Sequence, residues 1–284
     1  MYHSHLLINV GDNPDRADWR NRNWLRNLYR VHQRLCMAFP TAPQREKDPD
    51  FLMPYQPWGF HDPRPERCTI GSGPAAPPRP CAVGAVERPV HVPRDTEHNF
   101  LFRVEPQPAG RVVIIVQSAV KPDWDYAFHN AGHFLAAPPQ VKLFDPCFAK
   151  GQRLRFRLVA NATRKIDTKS GPDGRRRHGK RVPVKADQLG EWLARWGEAA
   201  GFSVENDSLI IQPGYVYMNN KTSTNDTARR GDEARLRSVR FDGFLRITDP
   251  VRFQEILVRG IGPGKGFGLG LLSVEPAQIP AGAP

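Results

Sequence analysis

Thirteen of the chain's 28 prolines fall between Pro40 and Pro93. Proline fixes φ and carries no amide hydrogen, so this stretch holds neither a continuous helix nor a central strand. The segment 41–98 is expected to be an irregular surface insertion, and the periodic apolar patterns lie on either side of it. Ser4 to Val10 reads as a strand through Leu6, Leu7, Ile8 and Val10. Trp24, Leu25, Leu28, Val31, Leu35 and Phe39 recur at spacings of three and four, which predicts a helix that Pro40 stops.

Beyond the insertion, Phe100 to Val104 and Val112 to Gln117 form a strand pair across a short connection with two prolines and a glycine. A short helix over 122–130 and a strand at Val141 to Phe144 follow. The order is strand, helix, strand, strand, helix, strand. The second half repeats it, with a strand at Arg153 to Ala160 alternating Leu154, Phe156 and Leu158 inward. A helix over Ala186 to Ala200, strands near 208–217 and 236–247, a helix over Pro250 to Arg259 and a strand at Leu269 to Val274 complete the repeat. Two βαββαβ units make an α+β protein of two tandem ferredoxin-like modules, a plan shared with RNA-recognition folds. A length of 284 residues, where single cores tend to split, agrees. The expected division is 1–137, carrying the insertion, and 138–284.

Charge narrows the partner. Lys and Arg number 41 against 29 Asp and Glu, a net charge of +12. With no apolar run near the roughly 20 residues a membrane helix needs, that surplus points to nucleic acid rather than a membrane. The N-terminus shows no leader pattern, and Cys36, Cys68, Cys81 and Cys147 have no disulfide or C-x-x-C spacing, so a cytoplasmic protein is expected.

Three features bear on chemistry. Tyr29 and His32, at i and i+3, share a helix face at the border of the buried stripe, where an imidazole suits proton transfer near neutral pH. Six alternating glycines run from Gly260 to Gly270 between a helix and a strand. Such a segment either makes a tight connection needing positive φ or turns amides such as those of Gly262 and Gly264, with Lys265, toward phosphate. It is not a P-loop, because Gly266 follows Lys265 and the helix precedes the strand. Third, 164–185 holds nine basic residues against two acidic ones, among them Arg164, Lys165, Arg175, Arg176, Arg177, Lys180 and Arg181. It reads as an extended basic arm or a solvated charge run. Lys221, Arg229 and Arg230 belong to a smaller basic cluster. No metal or other cofactor is assigned: His61, Cys68, Cys81 and His91 match no familiar zinc spacing. A DNA-binding reading is disfavoured because no recognition helix carries the basic cluster.

Several stretches together resemble one family. They are Leu6-Leu7-Ile8-Asn9, Tyr29-Arg30-Val31-His32-Gln33-Arg34-Leu35, Phe102-Arg103-Val104-Glu105-Pro106, Val116-Gln117-Ser118, Pro122-Asp123-Trp124, Gly151 to Leu158 with Ala160-Asn161, and Gly179 to Val182. The glycine segment adds the pattern G-hydrophobic-G-x5-G-hydrophobic-G and runs into Leu271-Leu272-Ser273. These resemble the CasE family, the CRISPR RNA-processing endoribonucleases of type I-E Cascade complexes. The resemblance implies a metal-independent enzyme that binds the stem-loop of CRISPR repeat RNA and cuts at the 3′ base of the stem. The 2′-hydroxyl would attack the adjacent phosphate, with His32 as general acid or base and Tyr29 as its helper. Other Cascade subunits are the implied protein partners. The alternative is a non-catalytic RNA-binding subunit of the same fold. Where the family commonly has Arg after the histidine, this chain has Gln33, so Arg34 is the nearest cation, one helical position (about 100°) further round. The hairpin that is often densely basic in the family reads Met218-Asn219-Asn220-Lys221 here.

Overall fold

Two antiparallel sheets, each covered by helices on one face, carry the structure. The computed structural model describes residues 1–11, 19–39, 100–108, 111–129, 131–166, 180–219 and 233–277. The proline-rich insertion of 41–98, with its candidate zinc residues, lies outside the described residues.

In the first sheet β1 (Tyr2–Ile8) lies between β3 (Val112–Ser118) and β4 (Gln140–Leu143), and β2 (Phe100–Pro106) pairs with β3. The order is β2-β3-β1-β4, which leaves β2 at an edge. Alternation sends Leu6, Ile8, Phe102, Ile114 and Val116 into one core. The helix predicted as one piece is two. α1 (Trp19–Arg26) stops at Asn27, whose backbone leaves the helical region and whose side chain caps α2 (Leu28–Cys36) by accepting the Arg30 amide. Asparagine is favoured at such a cap because its side chain replaces a missing helical acceptor. α2 then buries Val31 and Leu35 against the sheet beside Trp124 of α3 (Trp124–Phe128).

The second sheet runs β11-β5-β10-β8, with β9 also on β10. These strands are β5 (Arg153–Ala160), β8 (Phe202–Val204), β9 (Ile210–Asn219), β10 (Glu233–Ile247) and β11 (Leu272–Pro276). The expected alternation of β5 holds, with Leu154, Phe156 and Leu158 all buried. Its cover is α4 (Leu189–Ala200) and α5 (Pro250–Arg259). α5 begins where proline predicted, with Asp249 accepting from the amides of Val251 and Arg252. β8 was not foreseen: three residues are too few for periodicity to register. Two parts of the basic segment form strands, which its charge did not suggest. β6 (Thr163–Ile166) and β7 (Lys180–Pro183) pair as a separate two-stranded ribbon.

The first sheet is tied to helix α5, which covers the second. His3 on β1 donates from Nε2 to Gln117 Oε1 at 2.8 Å, and Gln117 Nε2 donates to the Leu257 carbonyl of α5. The His3 ring stacks on Phe144, with centroids 4.1 Å apart. Burial lowers the His3 pKa below the ordinary histidine value, partly offset by the Gln117 bond. The unfolded chain therefore binds a proton here more readily than the folded one. The contribution of His3 to stability is full above pH ~6.5 and shrinks as the pH falls through that value toward the lower folded pKa. Thermal midpoints should thus fall less between pH 7 and pH 5 in His3→Gln than in the parent. Equal falls in both proteins would show that His3 is not an acid-sensitive tie.

Candidate functional site

The Asn27 cap sets the start of α2, and with it the rotation that places Tyr29, His32 and Cys36 along one flank. Tyr29 stands outermost, 37% exposed, while His32 is 8% exposed. Their ring centroids are 6.3 Å apart. Behind His32 are two aromatic rings of the edge strand, Phe100 at 5.3 Å and Phe102 at 6.1 Å, both stacked on the imidazole. Cys36 Sγ lies 3.6 Å from His32 Nε2, one helical turn on. The imidazole is thus held in orientation by packing on one side and a sulfur on another.

The glycine segment comes from the second sheet's side and wraps the edge of β2. Gly260, Gly262, Gly264, Gly268 and Gly270 all have positive φ. A Cβ on Gly260 would sit 2.8 Å from Leu101, and one on Gly268 would sit 3.1 Å from Phe102. Leu101 and Phe102 point to opposite faces of β2, so the segment straddles that edge and contacts both faces. Covering an unpaired strand edge with a loop is one way proteins protect it. The reading of this segment as a tight connection requiring positive φ therefore holds at five of its six glycines.

Within the segment a 3-10 turn, Lys265–Phe267, projects toward α2. The Phe267 ring reaches Tyr29, with centroids 6.1 Å apart. One patch therefore brings together Tyr29 and His32 from α2, Phe100 and Phe102 from β2, and Phe267 from the glycine segment. Gly264 and Lys265, both partly exposed, open the turn beside Phe267. Phe267, Phe100 and Cys36 were not singled out from the sequence. Phe267 was findable in principle, being the one aromatic among the glycines.

Other expected site residues fall differently. Arg34 is a correction: its side chain is 8% exposed and its Nη1 donates to the Ala127 carbonyl at 3.1 Å, with Met37 Sδ at 3.5 Å. It fastens α2 to α3 rather than facing a ligand, because the 100° step past Gln33 turns it inward. Gly262 is buried, its Cα facing Asn161 and Trp192. Arg164, Lys165, Lys180 and Arg181 are exposed on the β6–β7 ribbon, with Lys165 opposite Arg181. Arg175, Arg176, Arg177, Lys221, Arg229 and Arg230 lie outside the described residues. At the β9–β10 hairpin the described surface is aromatic as well as basic. Tyr215 and Tyr217 are about half exposed, and the Arg235 guanidinium lies 5.2 Å from the Tyr215 ring centre. Among the described residues no group of three His, Cys, Asp or Glu side chains is placed to hold a metal ion. No described helix is long and apolar enough to cross a membrane.

The CRISPR-associated endoribonuclease Cse3 of Thermus thermophilus is 35% identical over 185 residues, covering 62% of this chain and 80% of that protein. The CRISPR system Cascade subunit CasE of Escherichia coli K12 is 30% identical over 262 residues, covering 90% of this chain and 95% of that protein. A structure of Thermus thermophilus Cse3, bound to an RNA representing a pre-cleavage complex, superposes with a TM-score of 0.59 at 25% identity, covering 97% of this chain and 98% of the other. A family model described as CRISPR associated protein matches residues 85–276, well over half of the chain. By that match, and by a relative aligned along nearly its whole length, this chain belongs to the CRISPR associated protein family.

Proposed function

We propose that this chain is a metal-independent endoribonuclease that binds the stem-loop of a CRISPR repeat RNA, cuts at the 3′ base of the stem, and stays on the processed hairpin as a Cascade subunit. The observation that carries the reading is the patch where Tyr29 and His32 meet Phe267 of the glycine segment. In it a proton-transfer group, a phenol and a partly exposed Lys265 with its neighbouring amides share one edge. RNA supplies its own nucleophile, so the protein need only align the 2′-hydroxyl with the phosphate, move protons and balance charge. His32 accepts the 2′-hydroxyl proton or protonates the leaving 5′-oxygen. Tyr29 donates a hydrogen bond to a phosphate or ribose oxygen. The products are a 2′,3′-cyclic phosphate and a 5′-hydroxyl.

The same reading treats the chain as two ferredoxin-like units. Numbered within each half, the sheet orders 2-3-1-4 and 4-1-3-2 both fit that plan, with β9 extending the second. We draw the division after Leu143 rather than at 137/138, since β4 pairs with β1. The exposed β6–β7 ribbon and the tyrosine-lined β9–β10 hairpin would hold the RNA backbone and bases.

The test is incubation of the purified protein with the repeat hairpin encoded beside it. A single cut at the 3′ base of the stem is expected, at the same rate with or without EDTA. Loss of cleavage on chelation would overturn metal independence. One observation favours the non-catalytic alternative: at 8% exposure, stacked on two phenylalanines, His32 also has the surroundings of a structural histidine. Tight hairpin binding with uncut RNA in a single turnover would decide for that alternative.

A further inference from the structure

The catalytic patch is built from two sheets, so something must fix the register between them, and one buried cation occupies that junction. Arg103 on β2 is 5% exposed. Its Nε donates to Glu105 two residues along the same strand, which leaves both terminal nitrogens free to reach across. Nη1 donates to the Leu271 carbonyl at 3.1 Å, and Nη2 to Ser273 Oγ at 3.0 Å. The Arg157 carbonyl of β5 is 3.5 Å from Nη1.

Leu271 and Ser273 stand where the glycine segment enters β11. Just before them the segment's base is closed, with the Ile261 amide donating to the Gly270 carbonyl at 2.9 Å and the Gly270 amide to Val159 at 2.7 Å. The Lys265–Phe267 turn projects from this base to Tyr29. Directly before Arg103 in the strand, Phe102 packs on His32 and also lies against Gly268. A slip of β2 along the glycine segment would therefore move Phe267 against Tyr29, and would carry the ring behind His32 with it. Apolar packing resists separation better than sliding. Directional hydrogen bonds resist both.

We propose that Arg103 is a positioning residue for RNA cleavage: by holding β2 to the Leu271 carbonyl and the Ser273 hydroxyl, it sets the glycine segment against Tyr29 and His32. The proposal rests on the endoribonuclease reading. Lysine keeps the charge beside Glu105 but cannot direct separate donors to a carboxylate, a carbonyl and a hydroxyl, so Arg103→Lys isolates geometry from charge. The experiment is single-turnover cleavage of the repeat hairpin at saturating protein, with hairpin affinity and thermal midpoint measured alongside.

Arg103→Lys should cleave bound RNA on the order of 100-fold more slowly, with affinity changed less than about threefold. Ser273→Ala, which removes one donor's partner and leaves the ion pair intact, should show a smaller loss in the same step. Phe267→Ala combined with Arg103→Lys should be little slower than Phe267→Ala alone, since both disturb the same contact. Cleavage by folded Arg103→Lys within twofold of the parent overturns the proposal, as does a double variant whose losses multiply. Ser273→Ala at the parent rate overturns it even if Arg103→Lys fails to fold. If the parent protein leaves the hairpin uncut, the endoribonuclease reading falls and takes this proposal with it. Cutting by the parent, unchanged in both variants, removes the proposal alone.

Discussion

His32→Ala should abolish cleavage of the repeat hairpin while leaving hairpin binding within a few-fold of the parent. A positioned acid or base contributes roughly 10² to 10⁴ in rate, and among the described residues no second imidazole stacks in the patch to replace it. Among the described residues the rings around His32 are Phe100, Phe102 and Tyr29, and none of them is an imidazole. Binding survives because the exposed basic residues of β6 and β7 are remote in sequence from His32 and lie on a separate two-stranded ribbon. Replacing a ring stacked on two phenylalanines also removes packing, so His32→Gln, which fills more of the space, is the companion variant. Both should bind and neither should cut. Cleavage by either within tenfold of the parent would remove His32 from the reaction.

How far this site was legible in the sequence depended on whether a residue acts through local spacing or through contacts far along the chain. Tyr29 and His32 are three apart on a periodic helix, and helical geometry alone places them together. The strands β1, β3 and β5 and the helix α5 were readable for the same local reason. The break at Asn27 was not, because an apolar pattern continuing through a cap hides the cap. Arg34 misled as a nearby cation until the structure showed it turned into the α2–α3 contact. Arg103, Gln117 and Phe267 take their meaning from partners 140 or more residues away, at Leu271, Leu257 and Tyr29, where no periodicity reaches. The glycine segment was conspicuous as a pattern, yet its steric reason lies in β2, which the insertion separates from α2 in the chain.

That steric reason yields the second large expected effect, on Gly260→Ala. Gly260 adopts φ 72° and ψ 162°, a region open essentially to glycine alone. Its amide still donates to the Ile256 carbonyl at 2.7 Å, so the residue cannot swing to relieve an added methyl without giving up the end of α5. The new Cβ would lie 2.9 Å from the Gly270 carbonyl oxygen and 2.8 Å from a Leu101 methyl. Leu101 can yield somewhat, whereas the carbonyl belongs to the closed base of the segment. Strain and overpacking each cost about 1–3 kcal/mol, so a loss of about 3–5 kcal/mol is expected. At about 2–4 °C per kcal/mol, the thermal midpoint should fall by roughly 10 °C. RNA cleavage should be lost even below the transition, because Phe267 moves with the base that Gly260 anchors. Gly190→Ala is the control: it sits in α4, and an added Cβ meets nothing within 4 Å. There alanine should be neutral or stabilising by about 0.5–1 kcal/mol. A Gly260→Ala protein as stable as the Gly190→Ala control would show that the glycine segment tolerates a side chain at its base. The close approach across the edge of β2 would then not be what demands glycine there.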